Sequence, residues 1–248
     1  QFVRWITDMA RGDLGISMWT GRPVAYEIGV RLELSLQVAL MATLLAVIIA
    51  LPLGTLSAIF KNTLIDHVIR VVSIAGLAVP SFWLGMLIIL FLLTNFGWIP
   101  PITFTPFLED PWLNLSQLIW PAMAVGYRYS AVATRMTRSS ILEVMQEDYI
   151  RTARAKGAAV WRHAFKEGFL IPVTEIMSAK IPFLLGGAVI VEQVFNWPGM
   201  GRMAWQAAQD RDFPVIMGIA LLAAAFVRLA SLAQRIVFTA VNPRASHE

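Results

Sequence analysis

The sequence predicts an all-α membrane protein, and three observations predict it. The 248 residues are 57% hydrophobic and 15% charged, with a mean hydropathy of +0.64, against roughly 45–50% apolar and about 25% charged in ordinary soluble domains. The apolar residues gather into windows near the ~20 residues that a helix needs to cross hydrocarbon. The basic residues lie in the connections between those windows instead of forming one patch. A net charge of +4 and a pI near 9.8 therefore reflect topology, and a nucleic-acid partner is not expected. With no cysteine, disulfides and thiolate metal sites are excluded.

The N-terminal segment, residues 1–31, is neither a signal peptide nor a span. It is expected on the extracytoplasmic side, where Arg4, Trp5 and Trp19 suit either an interface-lying segment or a platform for a partner. Residues 32–248 form the transmembrane domain. Five spans are expected within it, over 34–60, 68–96, 115–136, 169–195 and 213–241. The third is the weakest, since Tyr127, Arg128 and Tyr129 require a polar or helical neighbour over part of its length. Pro52, Pro80, Pro121, Pro172 and Pro182 fall inside or at the edges of the windows and should bend them.

Orientation follows from Lys and Arg in the short connections. Between the third and fourth windows lie Arg138, Arg151, Arg154, Lys156, Arg162 and Lys166, whereas residues 97–114 hold no basic residue but have Glu109 and Asp110. The former connection is thus cytoplasmic. Alternation places 61–67 and the tail at Arg244 inside as well, and 196–212 outside. Trp98, Trp112, Trp120 and Trp197 at span ends fit an interfacial aromatic belt, with Trp120 equally suited to a core. Five spans and an inside C-terminus put the N-terminus outside, which implies an upstream anchoring helix beyond this chain.

Within the cytoplasmic segment 138–168, one stretch is distinctive. A continuous helix over 150–164 would align Ile150, Ala153, Gly157, Val160, Trp161 and Ala164 in one stripe, with Arg151, Arg162 and Lys166 turned away. Gly157 costs about 1 kcal/mol relative to Ala inside a helix, so it marks a bend or a close backbone approach. On pattern alone, docking on a partner protein and lying on anionic lipid fit equally.

Tyr149-Ile-Arg-Thr-Ala-Arg-Ala-Lys-Gly157 followed by Leu170-Ile-Pro172 resembles the cytoplasmic signature loop of ABC importer permeases, in the dipeptide, oligopeptide and nickel branch. Gly12-Asp-Leu-Gly15, Gly21-Arg-Pro-Val24, Pro52-Leu-Gly54, Pro80-Ser-Phe-Trp-Leu-Gly85, Gly97-Trp-Ile-Pro100, Gly186-Gly-Ala188, Glu192-Gln-Val-Phe-Asn-Trp-Pro-Gly-Met-Gly201 and Asn242-Pro-Arg244 are similar to that branch's landmarks, in order. The resemblance implies a type I ABC importer permease bundle of six helices, the first absent here, in a prokaryotic inner membrane. It also implies a second permease subunit, two ABC ATPase subunits and an extracytoplasmic substrate-binding protein. Tyr149, Arg151, Thr152, Ala153, Arg154, Ala155, Lys156, Gly157, Val160 and Trp161 would then be the ATPase-coupling helix. The chain departs from the general signature at Arg151 and Thr152, where Glu and Ala are usual, and in its shorter spacing from Gly157 to Pro172.

No Gly-x-x-x-x-Gly-Lys-Ser/Thr cradle occurs, so another polypeptide must hydrolyse nucleotide. The chain itself is expected to bind no cofactor and to be no enzyme, with ATP and Mg used by partner subunits. His67, His163 and His247 form no metal or catalytic spacing. Candidates for a translocation path or outer gate are Lys180, Arg128, Glu192, Asn196 and Trp197. Glu175 and Arg228 suit interhelical ion pairs better than substrate. Asp210, Arg211 and Asp212 read as helix capping and surface charge. The rival reading is a stand-alone secondary transporter or channel, which should show inverted repeats; none is evident. Cargo is open: peptides first, then nickel chelates, glutathione-like molecules, opines or sugars.

Overall fold

The computed structural model describes residues 7, 9, 11–157, 160, 169, 173 and 189–241. Among them are eight helices, α1 Val24–Ile59, α2 Leu64–Ala78, α3 Ser81–Phe96, α4 Pro111–Val144, α5 Asp148–Ala155, α6 Val189–Val194, α7 Met200–Asp210 and α8 Phe213–Val241, and no strand beyond an isolated Ile16–Pro23 bridge. The all-α expectation holds for these residues. Two helices, Val24–Ile59 and the Phe213–Ala233 part of α8, are long and apolar enough to cross a membrane, or three if α2 and α3 count as one broken span.

Two windows differ in shape from expectation. The helix expected from residue 34 begins at Val24, where the Pro23 carbonyl accepts from the Tyr26 and Glu27 amides at 3.1 and 3.2 Å. Its 36 residues make about 54 Å at 1.5 Å per residue, longer than the ~30 Å hydrocarbon core. The window 68–96 is two helices, bent by 103° at Val79-Pro80. Val79 has left the helical region (φ −83°, ψ 122°), as a residue before proline is driven to do. The third window lies in α4, a 34-residue helix carrying Pro121 that is not among the helices apolar enough to cross a membrane. Of the fourth, only the α6 end and two isolated positions fall among the described residues.

The chain divides into two compact units. One comprises Met41–Leu84, Ala122–Lys180 and Ala230–Glu248. Its packing rests on small residues: Ala42, Ala46, Ala50 and Gly54 recur every fourth position on α1, and the alanines are fully buried. A Cβ at Gly54 would lie 2.8 Å from the Thr134 carbonyl oxygen, and one at Gly126 would lie 2.7 Å from the Ala42 carbonyl oxygen. α1 and α4 thus run side by side in the same direction, backbone against backbone. Small residues permit that approach where a hydrophobic driving force between helices is weak.

The other unit comprises Gln1–Leu40, Gly85–Pro121 and Ile181–Leu229. Its core is Val24, Ile28, Met200, Met203, Ala207 and Val215, joined by Leu14, Ile216 and Ile219. The turn before α1 closes through Ser17 N to Arg22 O (2.9 Å) and Val24 N to Gly15 O (2.9 Å). Residues 97–110 are fastened by Asn114 Nδ2, which donates to Gln37 Oε1 at 2.9 Å and to the Thr105 carbonyl at 2.8 Å. Trp98 packs edge-on to Trp120 at 6.1 Å, which places Trp120 in packing and not only in a belt.

Candidate functional site

The α5 segment begins where α4 unwinds. Glu147, extended at ψ 146°, starts a two-turn helix whose Asp148 sits in the first turn and Arg154 in the last, both favourable to the helix dipole. Ile150 is fully buried and is the segment's anchor, and Val160 is buried as well. Arg151, Thr152, Arg154, Ala155 and Lys156 are exposed, Ala153 is half-buried and Tyr149 is 41% exposed. Arg151 leans on Asp148 at 3.5 Å, a contact between two largely solvated groups that contributes little. The outcome is a basic outer face on one apolar anchor.

Of the two expectations at Gly157, a bend or a close backbone approach, the structure shows the first, and the helix does not continue through it. α5 ends at Ala155, and Gly157 takes φ +70° with its amide donating to the Arg154 carbonyl at 3.1 Å. Left-handed backbone costs an L-residue about 1–2 kcal/mol, so glycine ends the helix there. A Cβ would meet nothing within 4 Å, which rules out close packing as the reason for glycine within the described residues. Trp161, Lys180, Glu175, Arg162, Lys166, His163, Pro172 and Pro182 lie outside the described residues.

Around the outer turn the candidates Glu192, Asn196 and Trp197 form one knot. Glu192, only 5% exposed, accepts from Ser35 Oγ at 3.1 Å and from the Arg202 amide at 2.8 Å. Ser35 Oγ in turn accepts from the Met200 amide at 2.8 Å. A carboxylate from α6 and a hydroxyl from α1 thereby cap the first turn of α7, satisfying amides that the helix cannot. A Cβ at Gly199 would collide with the Glu192 carboxylate, and one at Gly201 would lie 3.0 Å from Val189 Cα, so both glycines are places of close approach. Asn196 adopts φ 56° and accepts from Arg202 Nη1 at 2.8 Å. Trp197 is not a membrane-surface anchor: it is buried, edge-on to Phe104 at 5.9 Å, and its Nε1 has no hydrogen-bond partner among the described residues.

Arg128 is exposed on α4, away from this knot in sequence and in unit. Arg228 is likewise exposed on α8. Asp212, expected as cap and surface charge, is a cap but is buried, and Ser17 Oγ donates to it. Beside Asp212, Ser17, Trp19, Glu27, Arg31 and Gln206 line a cleft of about 400 Å³.

Two buried polar centres were missed in the sequence. Ser35 carries no motif, and nothing in its neighbourhood signals a cap for a helix far along the chain. Asp66 was passed over as part of a cytoplasmic turn, yet it is fully buried and accepts from Ser57 Oγ (2.6 Å), the Asn62 amide (3.0 Å) and Arg138 (2.9 and 3.0 Å). A lone carboxylate opening an apolar helix, with an arginine ending another, was the available signal. Among the described residues no cluster of His, Cys, Asp and Glu can hold a metal.

Residues 50–247 match the family model described as binding-protein-dependent transport system inner membrane component. The chain is 37% identical over 247 residues to the glutathione transport system permease protein GsiC of Pectobacterium atrosepticum, covering 98% of this chain and 78% of that protein. It is 39% identical over 252 residues to the oligopeptide transport system permease protein AppB of Bacillus subtilis, covering 98% and 79%. In fold it is similar to a crystal structure of an amino acid ABC transporter with histidines, at a TM-score of 0.54 and 20% identity over 79% of this chain and 89% of the other.

Proposed function

The chain belongs to the family of binding-protein-dependent transport system inner membrane components, and from that membership we propose that it forms, with a second permease subunit, the translocation path for short peptides or glutathione-like solutes. It is a permease subunit of an ABC importer, and ATP hydrolysis belongs to a separate subunit. Short peptides and glutathione share a γ- or α-linked amide backbone and free carboxylates, and the relatives are named for these two cargoes. A stand-alone transporter is not favoured, because those relatives are named as permease proteins of transport systems.

The observation that carries the coupling role is α5 itself: a short helix held by buried Ile150 and exposing Arg151, Thr152, Arg154 and Lys156 up to the left-handed Gly157. In this proposal α5 seats in a groove of one of two ATPase subunits. Closure of that pair on nucleotide then moves the helix and rocks the bundle between inward- and outward-open states, which the ATPase biases by binding them unequally. Tyr149, Ala153, Ala155, Val160 and Trp161 complete the docking face. Five spans, with 138–168 inside and 1–31 outside, carry the path in a prokaryotic inner membrane. Lys180 and Arg128 supply cationic positions for a carboxylate-bearing cargo. The knot of Glu192, Asn196 and Trp197 fixes an outer gate on which the substrate-binding protein delivers its load.

The test is reconstitution of the chain with its partner permease, ATPase subunits and binding protein in proteoliposomes. Uptake of glutathione or tri- and tetrapeptides that requires ATP and the binding protein is expected. Uptake by this chain without an ATPase subunit would overturn the importer reading, and ATP-dependent transport of neither cargo would overturn the substrate class alone.

A further inference from the structure

Between α2 and α4 a cavity of about 610 Å³ is lined by Arg70, Arg135, Arg138 and Ser139 together with Ile74, Val132 and Met136. The two helices are antiparallel there. Asp66 meets Arg138, whereas further along α2 the Val72 carbonyl accepts from Tyr127 Oη at 3.1 Å and Gly76 faces Ala131. Toward the Asp66–Arg138 end the lining is Arg70 on α2 with Arg138 and Ser139 on α4, toward the other end it is Ile74 and Val132, and Arg135 and Met136 lie between.

Charge in the cavity is unbalanced. Arg138 spends its two hydrogen bonds on Asp66, and Arg70 Nε lies 3.5 Å from the same carboxylate without hydrogen-bond geometry, buried and unsatisfied. Arg135 is exposed and has no ion pair among the described residues. Glu143, within 3.5 Å of Ser139 Oγ, is exposed one turn beyond the cavity. Among the described residues three guanidinium groups thus line the cavity with one carboxylate beside them, and guanidinium is the side chain best matched to a phosphate's paired oxygens.

We propose that this cavity binds the phosphodiester headgroup of an anionic phospholipid from the cytoplasmic leaflet, with Arg70 and Arg135 on the phosphate and the glycerol and upper acyl carbons on Ile74, Val132 and Met136. The order of the two ends decides for lipid over free anion. On the orientation proposed above, on which this assignment rests, Arg70 and Arg138 lie toward the cytoplasm and Ile74 and Val132 toward the bilayer interior, the polarity gradient of a leaflet lipid. A free phosphate would leave Ile74, 59% exposed, without an occupant.

The test uses the assembled transporter in nanodiscs of phosphatidylcholine containing phosphatidylglycerol, with native mass spectrometry of the lipids retained. Phosphatidylglycerol should be retained over phosphatidylcholine, and Arg70→Gln and Arg135→Gln should each lower that retention roughly fivefold. Equal retention of both lipids, or unchanged retention in the double variant, would overturn the site. Loss of the lipid to inorganic phosphate with no preference restored on its removal would assign the cavity to a free anion and overturn the lipid. Labelling of Ser139→Cys by an impermeant maleimide tests the orientation separately, and ATP-dependent uptake by the same variants tests the transport reading separately.

Discussion

Arg138 grips Asp66 across 72 positions of sequence, Nε to Oδ1 at 2.9 Å and a terminal nitrogen to Oδ2 at 3.0 Å, with the carboxylate fully buried. Ser57 and the Asn62 amide complete the carboxylate's shell, so one side chain ties the end of α1, the α1–α2 turn, α2 and α4. α4 leads directly into the exposed α5, so in the proposed coupling role the attachment at Asp66 is the place where a push on α5 would reach the bundle.

Removing one member of this pair should cost more than removing both. Arg138→Met leaves a buried carboxylate with only Ser57, the Asn62 amide and Arg70, whose Nε lies 3.5 Å away without hydrogen-bond geometry, and the loss should be about 3 kcal/mol. Asp66→Asn with Arg138→Met removes the charge along with its partner and should recover part of that loss. Thermal unfolding in detergent reads both; additive effects of the two substitutions would show that the residues are not coupled.

At Gly157 the backbone, and not crowding, sets the order of tolerated residues. φ of +70° with open space around the missing Cβ predicts that Asn, which enters the left-handed region readily, is better tolerated than Ala, and Ala better than Val. The readout is substrate-stimulated ATP hydrolysis by the reconstituted complex, with membrane insertion unchanged. A Val variant as well coupled as the parent would remove Gly157 from the coupling role.

For Glu192, geometry separates a cap from a charge on the path. Gln can still accept from the Arg202 amide, so Glu192→Gln should keep most transport, whereas Glu192→Ala takes the acceptor from the Arg202 amide and from the Ser35 hydroxyl proton and should cost about 1–2 kcal/mol. Gly199→Ala should resemble the Ala variant, because its Cβ displaces the same carboxylate. If the Gln variant alone abolishes uptake while unfolding at the parental temperature, the charge itself acts on the cargo.

Much of the fold was legible because apolar runs and punctuation are local. The windows found α1 and α8, and Pro80 marked the place where α2 and α3 part, although a proline in an apolar window signals a bend without saying that it reaches 103°. Gly157 announced an interruption, which the structure shows as a helix end with φ +70°, a backbone feature that side-chain periodicity does not record. What Asp66, Ser35 and Asp212 bind was illegible for a different reason. Each is an ordinary residue until a partner 72, 157 or 195 positions away is brought to it, and no single-window property records that.

Asp212 offers a pH test of the turn that precedes α1. Burial raises its carboxyl, but hydrogen bonds from Ser17 Oγ and from the Met18, Val215 and Trp19 amides lower it further, so it titrates below the usual carboxylate range. A carboxyl depressed on folding stabilises the fold fully above its unfolded value, about 3.9, and that contribution fades as pH falls through the lower folded value. Hydrogen exchange of the 13–24 backbone, whose Ser17 and Val24 amides are bonded within the turn, should therefore stay protected down to about pH 4 and lose protection only below it. Ser17→Ala removes one donor, costs about 1 kcal/mol and raises the carboxyl toward its unfolded value. Its pH-dependent loss of protection should then be smaller, and complete at a higher pH, than in the parent. Superimposable pH profiles for the two proteins would mean that the turn is held by the Leu14 and Val24 packing against α7 and α8, and that Asp212 only caps its own helix.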